Sequence, residues 1–315
     1  MFFSITVATC VLIQLVPVDQ LRDFFKTSKD CNATEIVQFK KPTYWIYGSG
    51  AEGQWTHVNK VLNRLGYDRV TENEIESADL LWAHDYPFNK FKSKILAMKA
   101  HQKINHLPGC GFLTNKVDLS TTDMKYIPSA FRLPKDEEKF KKYSEENPEK
   151  LFVVKHYQHR HIKIKKVKEI NYKDNETFIQ EFIDNPLLVD GYKFDIGVYT
   201  IITSIDPLRI YIYTGDVLFR YCPQKYHPFD AENLDKYVVG DDYLPTWDVP
   251  SLSRFYNALG LGMRGSFDAY MKSIGKNPQV IWQQVEDAIR LAILTKQPLM
   301  KDLADQYRNK QNFFE

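Results

Sequence analysis

Between Phe178 and Cys222 the chain alternates apolar and polar residues so regularly that this stretch is confined to paired strands. The alternation runs from Lys193 to Ile202 and resumes from Leu208 to Tyr213, with Asp206-Pro207 marking the turn between the two runs. Upstream, Phe178 to Ile183 reads as a further short buried strand. A loop containing Asn185-Pro186 and Asp190-Gly191 joins it to the first run. Lys193 and Asp195, two residues apart, share one strand face. Spacing alone leaves two readings open for them, an ion pair on an ordinary antiparallel sheet and a functional acid–base pair.

The order of residues in this stretch resembles the central motif of the tubulin-tyrosine ligase-like family. Members carry Q-x-Y-I, then P-L-L-x-x-x-x-K-F-D-x-R-x-Y, then D-P-L-R-I-Y, then a strand ending in R-F. Here these are Gln180 to Ile183, Pro186 to Tyr199, Asp206 to Tyr211, and Phe219-Arg220. The resemblance implies an α/β chain of the ATP-grasp type that joins an amino acid, glutamate first among the choices, to a carboxylate of tubulin. It implies that Gln180, Glu181, Phe182 and Ile183 form the hinge whose backbone meets adenine, and that Lys193 reaches the ATP phosphates. One departure stands inside the motif. Gly197 occupies the place of the family's arginine, where a guanidinium would meet phosphoryl charge with two parallel hydrogen bonds.

A length of 315 residues, 43% of them hydrophobic, is enough for two compact units. The 42 basic and 40 acidic side chains leave a net charge of +2, which excludes the uniform basic field of a nucleic-acid packaging protein; any polyanion site is local. Four cysteines lie far apart without C-x-x-C spacing, so neither a zinc knuckle nor a disulfide scaffold is indicated. Residues 2–17 are almost wholly apolar and resemble a signal-peptide core, although no Lys or Arg precedes them. A leader or membrane anchor within residues 1–35, with membrane contact through 2–17, stands beside an amphipathic or buried N-terminal helix. The sequons at Asn32 and Asn175 would fit a lumenal chain.

An N-terminal lobe is expected over 36–125. Thr43 to Tyr47 followed by Gly48-Ser49-Gly50-Ala51-Glu52-Gly53 imitates the glycine fingerprint of dinucleotide folds, but only one helix, Trp55 to Leu65, follows before the next strand. That favours a plain strand-to-helix turn. Ala78 to Trp82 reads as a strand. The family's D-L-L-W, N-H-x-P-G and a later lysine correspond to Asp79–Trp82, Asn105–Gly109 and Lys116.

The nucleotide domain is expected over 126–315. It opens at Tyr126–Pro134, similar to the family's I-P-x-T-F-x-L-P, and continues through a solvated charged stretch from Lys135 to Lys150. Leu151 to Lys155 is a buried strand ending in a lysine. In the family's phosphate loop a glycine precedes the isoleucine, whereas His161 precedes Ile162 here, at a place where backbone approaches phosphate closely. His156, His159 and His161 invite zinc, but no carboxylate or cysteine at motif spacing completes a site. Lys163, Lys165 and Lys166 lie in a half-buried strand, Lys163 and Lys165 on one basic face and Lys166 on the other, and the basic face would suit an acidic partner such as a tubulin tail.

Two features depart from the family toward the C-terminus. The H-L-T-N element is missing from Tyr237–Leu252. Pro278 to Leu294 reads as an amphipathic helix that in the family leads into F-E-L-x-G-x-D and E-x-N, the Mg-holding acids; here only Asn312 to Glu315 matches. The remaining E-x-N, Glu145–Asn147, lies too early to replace them, so the expected fold is incomplete at its C-terminus and no metal ligand is assigned. In the implied mechanism ATP phosphorylates a tubulin glutamate and an amino group attacks the acyl-phosphate. Lys155 and Lys193 neutralise phosphates, Arg220 steers an acidic substrate group and Asp195 orients its neighbours. Two functions remain: a cytoplasmic tubulin ligase of the cytoskeleton, and a non-catalytic relative that binds microtubules or nucleotide.

Overall fold

The computed structural model of the chain describes residues 40–48, 52–71, 76–156, 162–307 and 309–315. Contacts divide these residues into two units. One holds residues 40–108 with Ile201–Ile210 and Ala304–Glu315; the other holds Gly109–Thr200 and Tyr211–Leu303. Sequence reasoning places the division near Lys125.

The first unit is built on four parallel strands, β1 (Thr43–Tyr47), β2 (Asp68–Arg69), β3 (Leu80–Ala83) and β4 (Lys103–Ile104), in the order β2-β1-β3-β4. Helix α1 (Thr56–Arg64) connects the first two, as the right-handed crossover of parallel strands requires. The apolar runs in β1 and β3 are buried because a parallel sheet is covered on its faces; Tyr44, Ile46, Leu80 and Trp82 pack with Leu62 of α1. Asn105 closes β3 with its side-chain amide, accepting from the Ala83 N–H at 2.6 Å and donating to the Ala83 carbonyl at 2.9 Å. The C-terminal residues extend this sheet. Phe313 bridges Ile104 in parallel, and Glu315 exchanges backbone hydrogen bonds with Ile202 at 2.7 and 2.9 Å. The Glu315 carboxylate accepts from the Leu107 N–H at 3.1 Å and lies 3.2 Å from His106 Nδ1, so the N-H-x-P-G residues meet the F-F-E segment directly.

The second unit carries an antiparallel sheet of β5 (Ala130–Arg132), β6 (Leu151–His156), β7 (Lys163–Lys166) and β8 (Thr177–Glu181), ordered β5-β8-β6-β7. Helix α2 (Glu137–Glu146) is the solvated helix expected between Lys135 and Lys150, yet it buries Phe140 completely against Phe131, Phe152 and Ile179. Farther along the chain are β9 (Phe194–Gly197), β10 (Thr200–Ile205) and β11 (Leu208–Ile212), the last two lying mostly in the segment Ile201–Ile210 of the first unit, then β12 (Leu218–Tyr221) and β13 (Leu244–Pro245). Strands β9, β12 and β13 form a sheet with β12 central, against which α3 (Gly262–Ser273) and α4 (Pro278–Ala304) place Phe267 and Trp282 on Phe219.

The architecture is the mixed α/β type expected. Two details differ from the sequence reading. The single strand expected from Lys193 to Ile202 is two strands, β9 pairing with β12 and β10 with β11 across Asp206-Pro207. Period-two patterning fixes which face is apolar but not which partner is chosen, so the break at Val198-Tyr199 leaves no mark in it. Helix α4 runs ten residues past Leu294, through Pro298, and Val280 at its start is exposed rather than packed. No helix of the described residues is long and apolar enough to cross a membrane, and residues 2–17 lie outside them.

Candidate functional site

Register decides which side chains of the β5–β8 sheet stand together. Phe178 is opposite both Lys155 and Arg132, and Gln180 opposite both Val153 and Ala130, so these side chains share one face. Ile164 and Lys166, paired with Val153 and Leu151, belong to it too. The other face, with Phe152, Val154 and Glu181, is the one α2 covers.

Lys155 is the centre of the first face. Its Nζ donates to Gln180 Oε1 at 2.6 Å and lies 5.7 Å from the centre of the Phe178 ring. Burial, with the ammonium groups of Lys116 and Lys193 nearby, brings its pKa from an ordinary 10.5 down to about 8. Three lysines are therefore gathered where the partner shown for Lys155 is a neutral amide, leaving positive charge in excess. That is the condition for holding a polyphosphate, and these residues fit one. Lys116 was legible only as the family's later lysine; nothing in its local sequence placed it beside Lys155.

The hinge residues divide by face. Gln180 is held from both sides, donating to the Pro128 carbonyl at 3.2 Å while accepting from Lys155. Glu181 points the other way, where the Tyr143 hydroxyl from α2 and Lys150 Nζ each reach its carboxylate at 2.5 Å. The Glu181 carboxylate holds the Lys150 ammonium above its ordinary pKa. Phe182 enters the buried group of Ile164, Tyr226 and Tyr237, and the Ile183 carbonyl accepts from the Tyr226 hydroxyl at 2.6 Å. The strand is thus fixed on both sides before any ligand arrives.

Lys193, Asp195 and Gly197 alternate onto one side of the β9 segment. The acid there pairs across the ladder rather than along it. Asp195 stands opposite Arg220 on β12 and takes two hydrogen bonds from its guanidinium, at 3.0 and 2.6 Å. This replaces the Lys193–Asp195 ion pair that spacing left open. The Asp195 carboxylate that accepts these bonds holds the Arg220 guanidinium above its ordinary pKa. A Cβ added at Gly197 would lie 3.3 Å from Leu218 Cβ, the residue opposite it, so the glycine lets β12 approach closely.

Register also sets the two faces of the basic strand. Lys163 and Lys165 stand opposite Val154 and Phe152, on the face that α2 covers and away from Lys155; Lys166 is the lysine on the Lys155 face. Its N–H is capped by the Glu169 carboxylate at 2.9 Å. His156 Nε2 lies 3.0 Å from Glu176, while His159 and His161 with the rest of the expected phosphate loop fall outside the described residues. Glu145 of the early E-x-N is exposed on α2.

Residues 94–315 match the model of the tubulin-tyrosine ligase family. The chain is 40% identical over 298 residues to a probable tubulin polyglutamylase of Caenorhabditis elegans, covering 92% of this chain and 58% of that protein. It is 31% identical over 267 residues to the mouse tubulin polyglutamylase TTLL6, covering 79% of this chain and 31% of that protein. A human tubulin monoglutamylase, TTLL4, is 27% identical over 248 residues, 72% of this chain and 20% of that protein. The chain thus spans from a fifth to somewhat over half of the length of these relatives.

Proposed function

Because the chain belongs to the tubulin-tyrosine ligase family, we propose that it binds ATP on the Lys155 face and serves the ATP-dependent ligation of glutamate to tubulin. The observation that carries this reading is the placing of Lys116 and Lys193 close to a buried lysine, Lys155, whose ammonium form burial and those neighbours disfavour. A polyanion seated there restores charge balance, and phosphoryl transfer asks for little more from the protein than such neutralisation and positioning. ATP would supply the phosphoryl group, and Mg2+ would accompany it on the phosphates. Asp195, the carboxylate on the Lys193 side of β9, is engaged by Arg220 and is not assigned to the metal.

In this reading Lys155 and Lys193 hold the phosphates and Gln180 fixes Lys155. The backbone of Glu181 to Ile183 presents the adenine hinge. Asp195 orients Arg220, whose charge faces an acidic substrate group. The names of the relatives support glutamate and tubulin. A second reading, a relative that binds nucleotide or microtubules without turnover, draws support from Gly197, which supplies no guanidinium and leaves Leu218 close to where a side chain would start.

Calorimetric titration with ATP tests the first reading. Lys155→Ala and Lys193→Ala should each weaken binding by roughly 10- to 150-fold, as loss of a charge-assisted contact worth about 1.5–3 kcal/mol requires. Unchanged affinity in both variants would place the two lysines outside the nucleotide site. Incorporation of labelled glutamate into tubulin then separates the ligase from the non-catalytic relative.

A further inference from the structure

Arg132 fills the variable place of the F-x-L-P element, where sequence gives it no task. The β5 register sets it in a cross-strand row with Phe178 and Lys155, on the lysine face. Its Nη2 donates to Asp118 Oδ1 at 2.7 Å, and its Nε and Nη2 reach Thr121 Oγ1 at 3.1 and 3.0 Å. Both partners belong to the short turn of helix Lys116–Ser120 and its C-terminal cap, and the first residue of that turn is Lys116. The Thr121 hydroxyl donates to the Val117 carbonyl at 2.7 Å, so its oxygen is oriented to accept from the guanidinium. Asn115 fixes the other end, its side chain accepting from the Val117 and Asp118 N–H groups at 3.0 and 3.2 Å. Arg132 is itself held by its backbone, its N–H donating to Asp136 at 2.9 Å.

We propose that Arg132 is the positioning residue that holds Lys116 beside Lys155, by clamping the turn that carries it onto the sheet. The inference rests on the phosphate reading of the lysine cluster and says which residue assembles it. Like charges brought close in a partly buried place repel, so a cluster of three lysines needs an anchor that outlasts the absence of its anion. Nothing about Lys116 itself supplies one, since its side chain is exposed. The carboxylate and hydroxyl contacts of Arg132 do, and Lys296 of α4 adds a contact to the Asp118 carbonyl at 3.3 Å.

The test needs no nucleotide. The pH at which Lys155 becomes half-reactive toward acetic anhydride is read by peptide mass spectrometry on the full chain. In the parent this midpoint should lie at about 8. Lys116→Ala should move it upward but short of the ordinary 10.5, since burial is the larger cause, and Arg132→Gln should move it the same way and no further. The double variant should move no further than Lys116→Ala alone. Thr121→Val changes no charge and removes one anchor of the clamp; it should shift the midpoint the same way by less, and it carries the test should Arg132→Gln not fold. Midpoints at the parent value in Arg132→Gln and Thr121→Val would overturn the proposal. So would an added shift from Arg132→Gln in the Lys116→Ala background, which would show that Arg132 acts without Lys116. Loss of ATP binding in the parent, by contrast, would remove the nucleotide reading and leave this clamp standing.

Discussion

A lysine that gives up its proton at about 8 is costly to keep charged among two other lysines. Its folded pKa is lowered from 10.5, so between about 8 and 10.5 the unfolded chain binds more protons and stability rises with pH across that window. A bound polyanion reverses the balance, because it favours the ammonium form. Gly197 belongs to a different sheet, on β9 opposite Leu218 of β12. An arginine there would stand on the side of β9 shared with Lys193, but its Cβ would press on Leu218 at 3.3 Å. Gly197→Arg should therefore lower stability by about 1–3 kcal/mol through overpacking. It should also tighten ATP binding by roughly tenfold or more through a charge-assisted contact. Thermal melting and calorimetry on the same sample check both, and lost stability without gained affinity would place residue 197 outside the phosphate site.

At the scale of single elements, β7 shows what alternation fixes and what it leaves to register. Lys163 and Lys165 do share a face, but that face is opposite the one carrying Lys155. If this strip receives acidic tubulin tails, Lys163→Glu with Lys165→Glu should weaken microtubule co-sedimentation and reduce its salt sensitivity, since exposed charges act over a Debye length of roughly 8–10 Å. ATP affinity should stay within about twofold of the parent, because reversed charges on the far face of the sheet are largely screened from the phosphates. Unaltered co-sedimentation would leave the strip as an ordinary lysine-bearing edge strand, a known guard against edge-to-edge pairing. Strand positions, the Asp206-Pro207 turn and the helix after Pro278 were legible because period and turn chemistry are local. The pairing of Asp195 with Arg220, the two faces of the hinge and the Arg132 clamp were not, because register and sheet order join residues far apart in sequence.

For the whole molecule, each unit has its own sheet and its own buried aromatic group, and the chain returns twice to the first unit, through Ile201–Ile210 and Ala304–Glu315. The motifs that resemble the family converge within each unit. Asn105 to Gly109 begins where β4 ends, and its His106 and Leu107 meet Glu315; the K-F-D and R-F strands pair with each other. The central claim is that the face bearing Lys155 is a polyphosphate site. Its most direct test is calorimetry of ATP binding at a pH above the Lys155 midpoint of about 8, in two buffers that differ in ionisation enthalpy. Proton uptake close to one per ATP bound, vanishing in Lys155→Ala, is the result expected from a lysine recharged by its anion. ATP binding with no proton uptake, or with uptake that survives Lys155→Ala, would contradict it.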